Sequence, residues 1–191
     1  MQQYFRLWMW SWSAYSFILD LCKEGVVVVA DPDAKRLEKL KEQFAESIQS
    51  QKMKVVEASD ETLLHRLSDH HGQFDAIVAN FVLHWIKDLH GLFSCFQKLL
   101  KPGGYVFIQG PEYLADLLSD ATNAMQNDIG KRTILDNFHM VDGIRQTRDA
   151  AEAAGLQEMD TKTPHKLHKL CKYDSLEAFM DWWTATTHSS F

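Results

Sequence analysis

Apolar runs that read as buried strands alternate with helix-period segments along the first two thirds of the chain. Val26 to Ala30 has no polar alternation, the mark of a strand covered on both faces. Met53 to Glu57, Phe74 to Asn80 and Tyr105 to Gln109 read as further strands, the last following a Pro102-Gly103-Gly104 turn. Between them stand four helices. Ala14 to Glu24 carries Ala14, Phe17, Ile18, Leu21 and Cys22 at helical spacing and stops at Gly25. Ala34 to Ser47 turns Leu37, Leu40, Phe44 and Ala45 inward behind an Asp33 cap. Glu61 to Ser68 has Asp60 as its cap, and Trp85 to Lys101 buries Leu89, Leu92, Phe93, Phe96, Leu99 and Leu100. The alternation predicts an α/β fold, a doubly wound and mostly parallel sheet with helices on both faces. Beyond Gly110 the pattern turns helical, over Glu112 to Met125, Thr133 to Phe138 and Asp142 to Ala154. A strand from Leu156 to Thr161 and a helix from Asp174 to Trp183 are expected after Gly155.

With 191 residues and 46% hydrophobic positions the chain can bury one substantial core, so a single domain is expected. Its α/β part is placed at residues 1–160, with a helical segment over 161–191 belonging to the same domain. A formal charge of −6 disfavours non-specific attraction to nucleic acid or anionic membrane. Cys22, Cys95 and Cys171 are odd in number and lack CxxC spacing, which points to a reducing, cytoplasmic setting rather than a disulfide framework or a zinc site. His65, His70, His71 and His90 form no metal pattern, and His165 and His168 lack companion ligands. Leu7 to Leu19 is uncharged and follows Arg6, so an export signal is conceivable. The segment is too short to span a bilayer, and four aromatics between Trp8 and Tyr15 match such a signal poorly, which favours an internal buried segment.

An acidic residue at the tip of a buried parallel strand is costly without a partner or a task. Asp31 stands at such a tip. In nucleotide-binding α/β folds a carboxylate there accepts ribose hydroxyls, and alternatively Asp31 caps the turn before Pro32. Asp60 follows the next strand, and Asn80 with Phe81 ends the third.

Phe74–Ile86 (FDAIVANFVLHWI) and Leu99–Gly110 (LLKPGGYVFIQG) resemble the second half of a class I S-adenosylmethionine-dependent methyltransferase. The resemblance covers about Ala14 to Gly110, with a looser match to Leu156, and implies a Rossmann-like fold with S-adenosylmethionine as cofactor. It implies cofactor contacts at Asp31, Pro32, Ser59, Asp60, Asn80 and Phe81, with Asp60 near the adenine amino group and Asn80 and Phe81 beside the methionine half. The Leu83-His84-Trp85-Ile86 word is similar to methyltransferases of small carboxylic acids, such as the trans-aconitate, malonyl-thioester and juvenile hormone acid enzymes. His84 is then a candidate base or orienting donor, against the plainer reading of a packed histidine, and Trp85 a candidate substrate contact. The partner implied is a small molecule, with no metal, nucleic acid or membrane. The oligomeric state is left open.

The first half of the family pattern departs from the rule. Such enzymes open on a strand ending in an acid and a glycine-rich turn, because the backbone closely approaches the cofactor. Here Tyr4 to Ser13 holds no glycine, and the first glycine is Gly25. Either Tyr4 to Trp10 still enters the sheet as the central strand, or the ordinary first strand is absent. The Trp-rich opening ahead of a well-patterned helix favours absence, and with it weak or absent cofactor binding. Nothing after Trp183 reads as a closing antiparallel strand, so the chain is expected to be short at both ends. Two rivals remain. One is a degenerate methyltransferase fold serving as a binding or assembly partner. The other is a nicotinamide-dependent oxidoreductase using Asp31.

Overall fold

The structure is a computed structural model that describes residues 4–9, 12–110, 143–159, 175 and 177, with residues 4–9 and 12–14 described by their backbone alone. Contacts divide the chain into two compact units, Met1–Leu156 and Gln157–Phe191. Every strand and helix below lies in the first.

Among the described residues five parallel strands form one sheet in the order β3-β2-β1-β4-β5. They are β1 (Tyr4–Met9), β2 (Val26–Asp31), β3 (Met53–Glu57), β4 (Phe74–Asn80) and β5 (Leu100–Gln109). The helices are α1 (Trp12–Leu21), α2 (Ala34–Gln43), α3 (Ala45–Gln49), α4 (Asp60–Arg66), α5 (Leu89–Leu99) and α6 (Gly143–Ala153), with 3-10 turns at Ser68–His70 and Leu83–Trp85. The chain winds from β1 outward to β3, then returns to the other side of β1 at β4. That reversal creates a switch point between β1 and β4, outside whose carboxyl ends ligands bind in such sheets.

The expected doubly wound architecture is what forms. β2 is buried throughout and divides its side chains between two cores, as a period of two requires. Val26, Val28 and Ala30 join Leu63, Ile77, Phe93, Phe96 and Ala150 on one face, covered by α4, α5 and α6. Val27 and Val29 join Tyr15, Cys22, Leu40, Phe44 and Met53 on the other, covered by α1, α2 and the start of α3.

The favoured expectation of an absent first strand is overturned. Tyr4–Met9 is the central strand, paired with Val26–Val29 on one side and with Phe74–Asn80 on the other. Its Tyr, Phe and Trp residues suit a strand between two others, whatever the turn that follows. Smaller corrections have local causes. α1 starts at Trp12 and ends at Leu21, before the expected bounds. The helix expected over residues 34–47 is interrupted at Phe44 (φ −110°), which ends α2 and precedes α3. Ser59, not Asp60, caps α4: its hydroxyl accepts from Thr62 N at 3.3 Å while Thr62 Oγ1 accepts from Ser59 N at 2.9 Å. α5 begins only at Leu89 because Asp88 accepts from Gly91 N at 2.8 Å, leaving Leu83–Trp85 as a separate turn.

β5 begins five residues earlier than expected. Phe74 pairs with Leu100 and Ala76 with Tyr105, so Lys101 to Gly104 bulge opposite the single residue Asp75. Gly103 takes φ +78° there, and Lys101 Nζ meets Asp75 Oδ1 at 2.7 Å. Leu156 to Met159 is not a strand. The segments expected to be helical at 112–125, 133–138 and 174–183 lie outside the described residues, save Ser175 and Glu177.

Candidate functional site

The strand ends bring most of the candidate residues to one edge of the sheet. Asp31 is the ladder partner of Glu57, and Asn80 is partnered by Met9 on one side and Gln109 on the other. Extending the β1–β2 register by two places sets Met9 level with Asp31. Asp31 and Asn80 are therefore two strands apart, about 10 Å at the usual interstrand spacing. Asp60 follows three residues beyond Glu57 and opens α4, where an acid suits the positive end of the helix dipole.

Asp31 is only 5% exposed. Its Oδ1 accepts from Asp33 N at 2.8 Å, and its Oδ2 lies 3.7 Å from Arg36 Nη1. Burial raises its pKa above the ordinary carboxylate value, opposed by the Asp33 amide and by the Arg36 charge. Asp33 caps α2, accepting from Lys35 N at 2.8 Å and Arg36 N at 3.3 Å. Pro32 is exposed in the turn between the two acids. The turn-forming and ligand-accepting readings of Asp31 are therefore compatible, since each carboxylate oxygen has a second lone pair.

Asn80 is 8% exposed, and its Oδ1 has no hydrogen-bond partner among the described residues. A buried acceptor left without a donor is uncommon and calls for a ligand or an explanation. Phe81 adopts φ +51°, a conformation costly for an aromatic residue, while its N–H donates to Gln109 O at 2.7 Å and its side chain remains 41% exposed. Backbone strain of this kind sits at the mouth of the switch point, and no sequence signal announced it.

His84 and Trp85 follow in the 3-10 turn, their ring centroids 4.7 Å apart. His84 is 7% exposed, and burial lowers its pKa to about 4. At neutral pH the imidazole is uncharged and a feeble base, as a packed histidine would be. Ser59 spends its hydroxyl on the α4 cap. Arg36 was missed by the sequence reading, although a cation in a helix's first turn runs against the dipole and signals a nearby carboxylate.

Two clefts, of about 350 and 330 Å³, lie at the opposite edge of the sheet. They are lined by residues such as Lys23, Val26 and Lys52, or Asp75, Lys101 and Tyr105, and touch none of Asp31, Asp60 and Asn80. They do not bear on the chemistry of the strand ends. Among the described residues no three His, Cys, Asp or Glu side chains converge to hold a metal ion, and no helix is long and apolar enough to cross a membrane.

Comparison with known proteins agrees with this fold. Residues 13–106 match the family described as Methyltransferase domain. No curated protein matches the sequence. Among solved structures, a protein from Galdieria sulphuraria described as a sarcosine dimethylglycine methyltransferase shares 14% identity at TM-score 0.61, over 81% of this chain and 54% of its own. Geranyl diphosphate C-methyltransferase from Streptomyces coelicolor A3(2), solved with Mg2+, geranyl diphosphate and S-adenosyl-L-homocysteine, shares 15% at TM-score 0.55, over 79% and 53%. Phosphoethanolamine N-methyltransferase 2 of Haemonchus contortus, solved with phosphomonomethylethanolamine and S-adenosylhomocysteine, shares 18% at TM-score 0.57, over 81% and 33%. The chain thus spans about half the length of these structures or less, and at such identities the likeness concerns the fold. Family match and fold thus agree: residues 13–106 match a methyltransferase domain, set in a fold shared with S-adenosylmethionine-dependent methyltransferases.

Proposed function

We propose that this protein binds S-adenosylmethionine across the carboxyl ends of β2, β3 and β4 and directs its methyl group to a small, carboxylic acid-like acceptor. The observation that carries the reading is the pair of buried polar groups flanking β1, the Asp31 carboxylate and the Asn80 Oδ1, which has no partner among the described residues. Buried polar atoms need partners, and a ligand with a vicinal diol at one end and an ammonium at the other offers donors to both.

When bound, the cofactor supplies an electrophilic methyl group on a sulfonium. The residues present fit its adenosine half better than its amino-acid half. Asp31 accepts the ribose hydroxyls, with Pro32 beside them. Asp60, and Ser59 through its backbone, border the adenine. Asn80 and Phe81 border the methionine portion. Trp85 lines the acceptor side, and His84, uncharged, orients rather than deprotonates. A carboxylate acceptor is already a nucleophile and requires no base, so alignment supplies most of the acceleration. The small-molecule acceptor draws support from the Leu83–Ile86 word and from relatives solved with geranyl diphosphate and phosphomonomethylethanolamine.

One observation favours a second reading. β1 ends at Met9 and α1 starts at Trp12, so Trp10 and Ser11 join them where a glycine-rich turn is usual. A bulky connection there weakens the hold on the amino-acid end, as expected of a degenerate fold serving as a binding partner. Calorimetric titration with S-adenosylhomocysteine and with NAD separates the readings. The main one expects binding of the first only, weakened tenfold or more in Asp31→Asn, given the strength of hydrogen bonds to a charged acceptor. Binding of NAD alone supports an oxidoreductase, and binding of neither supports the degenerate fold.

A further inference from the structure

The Asp31 carboxylate has a cationic neighbour whose placement is not explained by the helix that carries it. Arg36 lies in the first turn of α2, with Nη1 3.7 Å from Asp31 Oδ2 and Nε 3.5 Å from Asp33 Oδ2. A positive charge at a helix amino terminus opposes the dipole, so carboxylates rather than the helix hold this side chain in place. The opposite oxygen of Asp31 accepts the Asp33 amide at 2.8 Å. The carboxylate is therefore held on both oxygens by groups of its own chain, one of them cationic, and each oxygen keeps a lone pair for an outside donor.

We propose that Arg36 is the positioning residue of the ribose site, fixing the plane and the charge of the Asp31 carboxylate so that a vicinal diol meets an ionised, pre-oriented acceptor. This inference rests on the reading of Asp31 as the diol acceptor. Arg36 itself touches no ligand in this scheme and acts through Asp31.

Arg36 is the favourable charge beside Asp31. The Asp33 amide also favours ionisation of Asp31, whereas the Asp33 carboxylate works against it, as burial does. Across the ladder β3 presents Glu57, and Asp60 follows it at the start of α4, both acidic. On the other side β1 ends in Leu7-Trp8-Met9, none of them ionisable. Among the described residues Arg36 is the one cation within ion-pair distance of Asp31. Protonation turns one carboxylate oxygen into a donor and weakens the acceptor, so binding weakens as pH falls through the folded-state pKa of Asp31. Without Arg36 that pKa rises further, and the acid limb of binding moves to higher pH.

The test titrates S-adenosylhomocysteine into the full chain by calorimetry between about pH 5 and pH 8, for wild type, Arg36→Met and Arg36→Lys. Thermal melts establish that each variant is folded. The Met variant is expected to bind about fivefold more weakly than wild type at the acid end and nearly as tightly at the alkaline end, as for a partly exposed ion pair. The Lys variant is expected to recover most of the loss, with its limb between the other two because an ammonium lacks the guanidinium fork. Should the Met variant not fold, a Lys limb above that of wild type still supports the proposal. Superposed limbs overturn it. Equal weakening at every pH overturns it too, since that marks loss of structure alone, and tighter binding would mean that Arg36 competes with the ribose. If wild type binds no S-adenosylhomocysteine at any pH, the reading of Asp31 falls first and takes this inference with it.

Discussion

Acidification should remove a defined part of this protein's stability through one histidine. His84 sits in the Leu83–Trp85 turn between buried Leu83 and Ile86, and its pKa falls from 6.5 to about 4 because burial disfavours the imidazolium. The folded-state pKa is the lower one, so the unfolded chain takes up the proton first. Stability is fully present above pH 6.5 and is lost as pH falls from there through 4. A difference of roughly 2.5 units corresponds to about 3 kcal/mol once both states are protonated, and about 1.4 kcal/mol is already lost at pH 5.5. Asp31 acts in the opposite sense, because its raised pKa lets the folded state gain on acidification. Comparison with His84→Gln cancels that contribution. Urea denaturation at several pH values from about 7.5 to 4.5 measures both proteins. The stability gap between wild type and variant should change by about 2 to 3 kcal/mol across the series, in favour of the variant at low pH. Parallel curves, or an imidazole NMR titration of His84 near 6.5, would refute the reasoning. The same result bears on any catalytic role: a histidine uncharged down to pH 5 puts no acid limb into a pH–rate profile near neutrality.

Three further outcomes follow from the geometry. Phe81→Gly should stabilise the fold by up to about 1 kcal/mol, since it relieves φ +51° and removes a ring already 41% exposed; a loss in thermal melting would show that the ring's packing outweighs the strain. Gly103→Ala should cost about 1 kcal/mol or more in denaturant midpoint, because φ +78° in the β5 bulge strains any side chain, although its Cβ meets nothing within 4 Å. Ser59→Ala should cost about 1 kcal/mol by removing the α4 cap, and Ser59→Asp should restore most of it; an unchanged midpoint for Ala would mean that the Thr62 side of the capping box suffices.

The sheet was legible where period and burial agree. β2, β3 and β4 fall within a residue of the expected bounds because continuous apolar runs bounded by turn residues leave few alternatives. Ends governed by side-chain hydrogen bonds were read less well: Asp88 and Ser59 claim cap positions that apolar periodicity alone cannot distinguish from their neighbours. In the site, Asp31 and Asn80 stood out as polar residues closing buried runs. Phe81's left-handed backbone did not, because no residue type encodes it.

The largest misreading concerned β1, and its cause is instructive. The glycine-rich turn and the strand before it obey different physics. A strand is selected by what lies on either side of it. Tyr4–Met9, aromatic and apolar apart from Arg6, takes the slot between β2 and β4, and two parallel ladders hold it there whatever turn comes next. A glycine turn is selected by how closely a ligand must approach the backbone. Its absence after Met9 therefore carries no information about the fold and bears directly on affinity for the cofactor's amino-acid end. Strand retained and glycine lost place the consequence at Trp10 and Ser11, so a Trp10→Gly, Ser11→Gly double variant should bind S-adenosylhomocysteine more tightly than wild type if the connection is what limits binding. Unchanged affinity would move the limitation elsewhere and leave Asp31 and Asn80 to account for whatever binding there is.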